Sequence, residues 1–215
     1  MFLVDALVGL LRPARCLACG VPVAWPCCAG CLPSEPGAVG PWLLAADPEV
    51  GLWTLGPYRD ALRTAVLAGK LDGQPAALDE LGRRLGAALA VAGAGADLVT
   101  HIAAGRVAGP PRDHAERIAT GVATALGLPL ANLLAPAGGR DLGRDRRTTR
   151  ASPPPRPPPT ARHRLAGGRV LLVDDLTTTG GTLASAATTL RTAGARRVEA
   201  AVLAASPSAL SPGPG

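Results

Sequence analysis

Aromatic side chains are scarce in this chain of 215 residues, of which phenylalanine, tryptophan and tyrosine make up 2%. Hydrophobic residues still account for 47% of it, which is enough to bury the core of one α/β domain with a small appendage. Because much of that fraction is alanine, we expect Ala/Leu/Val-rich helices packed closely against a Val/Leu sheet. The same scarcity weakens any nucleic-acid surface that would depend on stacking bases against aromatic rings.

The chain also lacks a hydrophobic run long enough to span a bilayer. Its first eleven residues, MFLVDALVGLL, are mostly apolar, but they carry Asp5, lack a basic amino-terminal region and precede no small-residue cleavage site. We therefore expect a short amphipathic helix there rather than a targeting segment, and we expect a cytoplasmic protein.

Lysine is nearly absent, since Lys70 is the single lysine beside 21 arginines. The net charge of +6 favours anionic ligands without establishing nucleic-acid binding. Arginine is densest between residues 140 and 169, where a proline run at 153–159 interrupts any helical or strand periodicity. We expect a flexible Arg/Pro-rich loop over 140–168.

The most informative stretch, residues 170–182, contains neither of two common nucleotide-binding patterns, GxxxxGK[ST] and GxGxxG. Instead, four apolar residues predict a buried parallel strand that ends in Asp174 and Asp175, followed by threonines, glycines and a helical pattern. A polar strand–turn–helix corner is the plainer interpretation. The whole run nevertheless favours a sugar-phosphate site, because N–H groups at a helix start attract phosphate and glycines permit its close approach. Carboxylates accept hydrogen bonds from ribose hydroxyls.

The run D-D-L-T-T-T-G-G-T in this stretch resembles the phosphoribosyl-diphosphate (PRPP) signature of the type I phosphoribosyltransferases. The resemblance implies their α/β fold with a mostly parallel, Rossmann-like sheet. It also implies that Asp174 and Asp175 hold the ribose hydroxyls, with Mg²⁺ bridging ribose and pyrophosphate oxygens. The implied 5′-phosphate ligands are Thr178, Thr179, Gly180, Gly181 and Thr182.

All five cysteines lie between positions 16 and 31, in two CxxC pairs with one cysteine left over. In a cytosolic chain, two complete pairs favour a tetrahedral zinc site over disulfides and over a redox function. With four protein ligands the zinc site would have no open coordination position, so it would be structural rather than catalytic. The remaining Cys27 would replace Cys28 only with poorer spacing. The predicted zinc ligands are Cys16, Cys19, Cys28 and Cys31.

A zinc knuckle ahead of a PRPP-type domain resembles the ComF family of competence-associated, phosphoribosyltransferase-like proteins. Residues 58–63 and 70–71 look like that family's Y-x-x-x-L-R and L-K-Y-x-G regions. Residues 101–107 stand where the family has its pyrophosphate loop, although they lack its prolines. Within them, Gly105 and Arg106 are the candidate pyrophosphate contacts.

The predicted organisation is an amino-terminal helix and zinc knuckle over 1–35, a connector over 36–57 with a short strand near 52–55, a phosphoribosyltransferase-like domain over 58–205 and a disordered tail over 206–215. Apolar spacing predicts helices over 58–68, 76–92, 113–126 and 182–193. Buried strands are predicted over 98–103, 129–134, 169–173 and 197–204. Alternating strands and helices imply a parallel sheet that binds its ligands at the carboxyl ends of the strands.

Two functions fit these patterns. The first is a Mg²⁺-dependent phosphoribosyltransferase, which the complete acid–threonine–glycine run favours. The second is a binding module without catalysis, linked to DNA uptake, in which the knuckle and the arginine-rich loop contact single-stranded DNA or a protein of the competence machinery. Residues 140–164 favour the second, because they keep Arg146, Arg147, Thr148 and Thr149 but not the glutamine and asparagine of the family's mobile segment.

Overall fold

The computed structural model describes residues 15–22, 27–28, 30–31, 40–71, 73–103, 114–134 and 165–212. Its strands are β1 Trp42–Leu44, β2 Asp47–Pro57, β3 Leu98–His101, β4 Arg169–Thr177, β5 Arg197–Ala205 and β6 Leu210–Ser211. Within the described residues they form one six-stranded sheet in the order β3-β4-β5-β2-β1-β6. The pairs β3–β4, β4–β5 and β5–β2 are parallel, whereas β1 pairs antiparallel with β2 and β6. The predicted α/β fold with a mostly parallel sheet is confirmed.

The helices are α1 Asp60–Lys70, α2 Ala76–Val91, α3 His114–Leu126 and α4 Gly181–Thr192. Each begins and ends within two residues of the span that apolar spacing predicts. In the part of the chain that the structure describes, no helix is long and apolar enough to cross a membrane.

The sheet separates two hydrophobic clusters, because successive side chains of a strand point to opposite faces. On one face, Leu171 of β4 packs with α1, α2 and α3. On the other face, Leu172 packs with α4 and with the segment 131–134. Cys16 and Cys27 belong to the first cluster, so the cysteine segment and the sheet share one core.

Small residues allow the helices of the first face to approach one another closely. A Cβ atom at Gly82 of α2 would lie 2.3 Å from the backbone oxygen of Ile118 in α3. A Cβ atom at Gly69 of α1 would lie 2.6 Å from Cγ of Leu78 in α2. Neither position has room for a larger side chain. The contact at Gly69 fixes the last turn of α1, and with it the next residue, Lys70.

The connector predicted over 36–57 is wrong from residue 42 onwards, because residues 42–57 contain β1 and β2. The short strand expected near 52–55 is the middle of β2, an inner strand that pairs with β5 and β1. Gly51 and Gly56 interrupt its apolar alternation, and prolines stand near both of its ends. These residues conceal the strand in the sequence, although prolines at strand ends leave the central ladder intact.

Two further expectations are corrected near the end of the chain and beside β3. The tail over 206–215 is not disordered throughout: Pro207–Ala209 form a 3₁₀ turn that leads into β6. Main-chain pairing with β1 needs no apolar alternation, so the sequence gives little sign of it.

The strand predicted over 129–134 is reduced to a single bridge between Leu130 and Val99. The N–H of Leu133 bonds the hydroxyl of Thr100 instead of a backbone oxygen, at 3.3 Å.

Candidate functional site

The acidic pair lies inside β4 rather than after it. The sequence predicts a strand over 169–173, but the pairing with β5 continues through Thr177. Neighbouring residues of a strand point to opposite faces, and Asp175 lies on the side of the sheet that α1 covers, because it contacts Lys70 of that helix. The two predicted ribose acids therefore have different surroundings at the carboxyl edge of the sheet.

Asp174 is held in place by the main chain. Its Oδ1 accepts a hydrogen bond from the N–H of Asp175 at 2.8 Å, and its side chain is half-buried. A carboxylate anchored in this way keeps a fixed orientation at the strand end. Such pre-orientation lowers the entropy that a ligand must remove on binding.

Asp175 forms an ion pair with the only lysine of the chain. Lys70 is the last residue of α1, and its Nζ donates to Oδ2 of Asp175 at 2.5 Å. The side chains are 24% and 19% exposed, respectively. A cation at the carboxyl end of a helix also interacts favourably with the helix dipole. The contact joins residues that are 105 positions apart and places a positive charge beside the candidate site.

We expect this pair to show a large coupling energy in a double-mutant cycle with Lys70→Met and Asp175→Asn, which nearly preserve side-chain shape. Each single replacement leaves a partly buried group without its partner, and each should lower the free energy of unfolding by about 1–3 kcal/mol. The double replacement should cost less than the sum, with a coupling of about 1–2 kcal/mol. Urea unfolding of the four proteins measures it. Additive losses would show that the ion pair contributes nothing to stability.

The loop after β4 combines buried and exposed positions. Gly180 is buried and adopts a left-handed conformation with φ +82° directly before α4, whereas Thr178, Thr179, Gly181 and Thr182 are exposed. The first N–H groups of a helix have no partner within the helix, and they carry a partial positive charge. The four exposed residues therefore lie around the start of α4, where a phosphate would meet these N–H groups.

The position of the loop depends on β1. A Cβ atom at Gly180 would lie 2.5 Å from Cδ1 of Leu44, a fully buried residue of β1. The loop thus rests directly on this strand. Because β1 lies in the segment predicted as a connector, this support is not predicted from the sequence.

The end of β3 reaches the same edge of the sheet. His101 pairs with Val173, and the N–H of Ile102 donates to the backbone oxygen of Val173 at 3.1 Å. The chain therefore leaves β3 next to the acidic pair. The candidate pyrophosphate contacts, Gly105 and Arg106, lie outside the described residues, as do the segments 1–14 and 135–164.

The four predicted zinc ligands lie together at the other end of α1. The Sγ atoms of Cys16, Cys19, Cys28 and Cys31 are all within 4.8 Å of one another. Zn–S bonds of about 2.3 Å in a tetrahedron place the sulfurs about 3.8 Å apart. The Sγ atoms of Cys19 and Cys28 are 3.8 Å apart. The cluster is therefore close to the size that a tetrahedral zinc ion needs.

The surroundings of the cluster shift the pKa values of two of its thiols in opposite directions. Hydrogen bonding, first of all with the backbone of Cys28, lowers the pKa of Cys16 to about 5. A side-chain hydrogen bond with Cys19 is the main reason that the pKa of Cys31 is raised well above its usual range. Zinc binds thiolates, so loading the cluster would release the proton that Cys31 retains at neutral pH.

Cys27 does not belong to the cluster. It is fully buried, its Sγ lies 3.9 Å from the backbone oxygen of Ala61 in α1, and burial raises its pKa to about 11. Arg84 of α2 donates from Nη2 to the backbone oxygen of Cys27 at 2.9 Å. Cys27 therefore contacts α1 through its protonated side chain and α2 through its backbone oxygen.

Comparison with known proteins gives one family. Residues 97–212 match the sequence model of the phosphoribosyl transferase domain, and no curated protein matches the chain.

Three solved structures illustrate the similarity of the fold. The glutamine phosphoribosylpyrophosphate amidotransferase from B. subtilis is 24% identical over 64% of this chain and 30% of its own, with a TM-score of 0.45. The allosteric regulatory enzyme of purine biosynthesis is 22% identical over the same shares, with a TM-score of 0.44. The purine phosphoribosyltransferase from Pyrococcus horikoshii Ot3 is 23% identical over 63% of this chain and 78% of its own, with a TM-score of 0.37. The chain thus spans under a third of the length of the first two proteins.

Proposed function

The chain belongs to the phosphoribosyl transferase domain family, and from that premise we propose that it binds PRPP with Mg²⁺ at the carboxyl edge of β4. In this proposal Asp174 and Asp175 bind the ribose hydroxyls, and Gly105 and Arg106 contact the pyrophosphate. The 5′-phosphate ligands are Thr178, Thr179, Gly180, Gly181 and Thr182.

One observation carries the proposal, namely the order of groups along a single strand–loop–helix unit. Two half-buried carboxylates lie near the carboxyl end of β4, a left-handed Gly180 turns the chain, and exposed threonines surround the start of α4. Carboxylates suit ribose hydroxyls, and a helix start suits a phosphate. Mg²⁺ usually keeps waters and binds through one or two carboxylates together with substrate phosphates. It would therefore arrive with PRPP rather than occupy a site made of protein alone.

Calorimetric titration with PRPP and Mg²⁺ tests the ligand assignment. Binding by the parent protein is expected, and the variant Asp174→Asn, Asp175→Asn should bind about 10- to 100-fold more weakly, because it loses hydrogen bonds to charged groups. Asp97→Asn is the matched control, since Asp97 precedes β3 and pairs with Arg169 at the amino edge of the sheet. If the parent protein does not bind PRPP, the assignment of both ligand and activity is wrong.

The same titration, followed by a pyrophosphate assay, separates the two candidate functions. In a transferase the bond from C1 of ribose to the pyrophosphate oxygen breaks, a bond from C1 to the acceptor forms, and pyrophosphate leaves. Binding of PRPP with release of pyrophosphate in the presence of an acceptor base or amine supports the enzyme. Binding without release supports the non-catalytic module, which the sequence of residues 140–164 favours.

The ComF resemblance completes the proposal. It adds a structural zinc ion at Cys16, Cys19, Cys28 and Cys31, supported by the size of the sulfur cluster. It also adds a function in natural competence, with single-stranded DNA or a protein of the uptake machinery as partner, supported by the sequence resemblance alone. We place the protein in the cytoplasm, where thiolate ligands stay reduced. The proposed domains are the knuckle over 1–35 and the phosphoribosyltransferase domain, with β1 and β2 now assigned to its sheet.

A further inference from the structure

We infer that the carboxyl-terminal segment 206–211 positions the phosphate-binding loop, and that Ser208 is its positioning residue. The inference rests on the proposed function, because it concerns the loop assigned to the 5′-phosphate. It goes beyond that function by giving a task to a segment that the sequence predicts as a disordered tail. The positioning depends on three kinds of contact.

The first contacts are hydrogen bonds to the carbonyl groups of the loop. The N–H of Ser206 donates to the backbone oxygen of Thr177 at 2.9 Å. The hydroxyl of Ser208 donates to the backbone oxygen of Thr178 at 2.7 Å. Two successive carbonyl groups are thus held by the segment at the point where β4 ends and the loop begins.

These bonds also determine where the next N–H groups point. In a trans peptide the C=O and the following N–H point in opposite directions. With the carbonyls of Thr177 and Thr178 directed at the segment, the N–H groups of Thr178 and Thr179 point away from it. They therefore face the other side of the loop, where successive N–H groups can form a concave site for an anion.

The second contact anchors the segment itself. Ala209 is fully buried, and its backbone oxygen accepts the N–H of Ala45 at 2.9 Å. Strand β6 follows at once and pairs with β1, with Leu210 opposite Leu44. The segment is therefore fixed to β1 over consecutive residues, and Ser208 is held on a structured turn.

The third contact is made by β1 itself, which packs directly against the loop. Leu44 is the residue on which Gly180 packs. Strand β1 thus contacts the loop directly through Leu44 and indirectly through β6 and Ser208. A loop held from two sides by one strand has few alternative conformations, and such order reduces the entropy lost when it binds an anion.

The variant Ser208→Ala tests the inference, since Ser208 is exposed and its hydroxyl is not needed to fill the core. We expect its affinity for ribose 5-phosphate to fall about three- to tenfold, as for the loss of one hydrogen bond. Ser208→Thr, which keeps the hydroxyl, should restore most of the affinity. Ser211→Ala is the matched control, because Ser211 contributes to β6 through backbone pairing with Leu43, which the replacement keeps, so the affinity should stay unchanged. Equal affinity in Ser208→Ala and the parent protein would overturn the inference.

A second measurement decides the matter without a ligand. Amide ¹⁵N relaxation of the free protein reports picosecond-to-nanosecond order in the loop. We expect lower order parameters at Thr178 and Thr179 in Ser208→Ala than in Ser211→Ala, with melting temperatures close to that of the parent protein. Unchanged order parameters would overturn the positioning. If the parent protein fails to bind ribose 5-phosphate while the order parameters do fall, the proposed ligand is wrong and the positioning stands.

Discussion

Replacement of Gly180 by alanine is expected to lower the free energy of unfolding by about 2–4 kcal/mol, even with no ligand present. Two costs add. A residue with a Cβ atom is strained at φ +82°. The new methyl group would also lie 2.5 Å from Cδ1 of Leu44, so either the loop or β1 must move. Since the loop is the exposed element, we expect it to move and the affinity for PRPP to fall with it. Chemical unfolding and titration of the same variant measure the two effects.

The neighbouring glycine provides a matched control. Gly181 is the first residue of α4, and a Cβ atom there would meet only Oγ1 of Thr179, at an ordinary distance of 3.8 Å. Gly181→Ala should therefore leave stability unchanged or raise it by up to about 1 kcal/mol, because alanine favours the helix. Similar losses at both glycines would contradict the geometry of this corner, since only one of them has a left-handed backbone and a buried neighbour.

The sequence predicts the strand–loop–helix unit well because the relevant signals are local. Four apolar residues, an acidic pair and a Gly/Thr run follow one another with only Leu176 between the last two, and each has its own preference for strand, turn or helix start. The same holds for the two CxxC pairs, whose spacing alone brings each pair of thiols together. The structure gathers the four sulfurs of Cys16, Cys19, Cys28 and Cys31 in one cluster.

Contacts between segments that are distant in the chain could not be predicted from the sequence. Lys70 is conspicuous as the only lysine, but nothing in its neighbourhood indicates a carboxylate that lies 105 positions later. Ser208 lies in a stretch of serine, proline and alanine that is typical of a tail, and its partner is a backbone oxygen rather than a recognisable side chain. The sequence predicts only the middle of strand β2, over 52–55, for a related reason, since the place of β2 between β5 and β1 depends on partners from far along the chain. The supports of the site are tertiary, whereas its ligand-facing groups are local.

Replacement of Cys16 by serine is expected to reduce bound zinc from about one ion per chain to almost none, because a closed structural site needs all four thiolates. Cys16 is also buried in the hydrophobic cluster on the first face of the sheet, together with residues of α1 and α2. Loss of the metal should therefore loosen the first turn of α1 as well as the knuckle. Elemental analysis measures the zinc, and hydrogen exchange of residues 61–68 measures the helix. Treatment of the parent protein with a chelator should reproduce both results.

Cys27→Ala separates this expectation from a general intolerance of changes near the knuckle. Cys27 is as buried as Cys16, but its sulfur faces Ala61 and burial keeps its thiol protonated, with a pKa of about 11. Because zinc binds thiolates, this variant should keep about one zinc ion per chain, although it loses packing against α1. Zinc loss from Cys27→Ala together with zinc retention in Cys16→Ser would reverse the assignment of the ligands. Zinc retention in both would mean that three thiolates suffice, and the site would then have an open coordination position rather than a closed one.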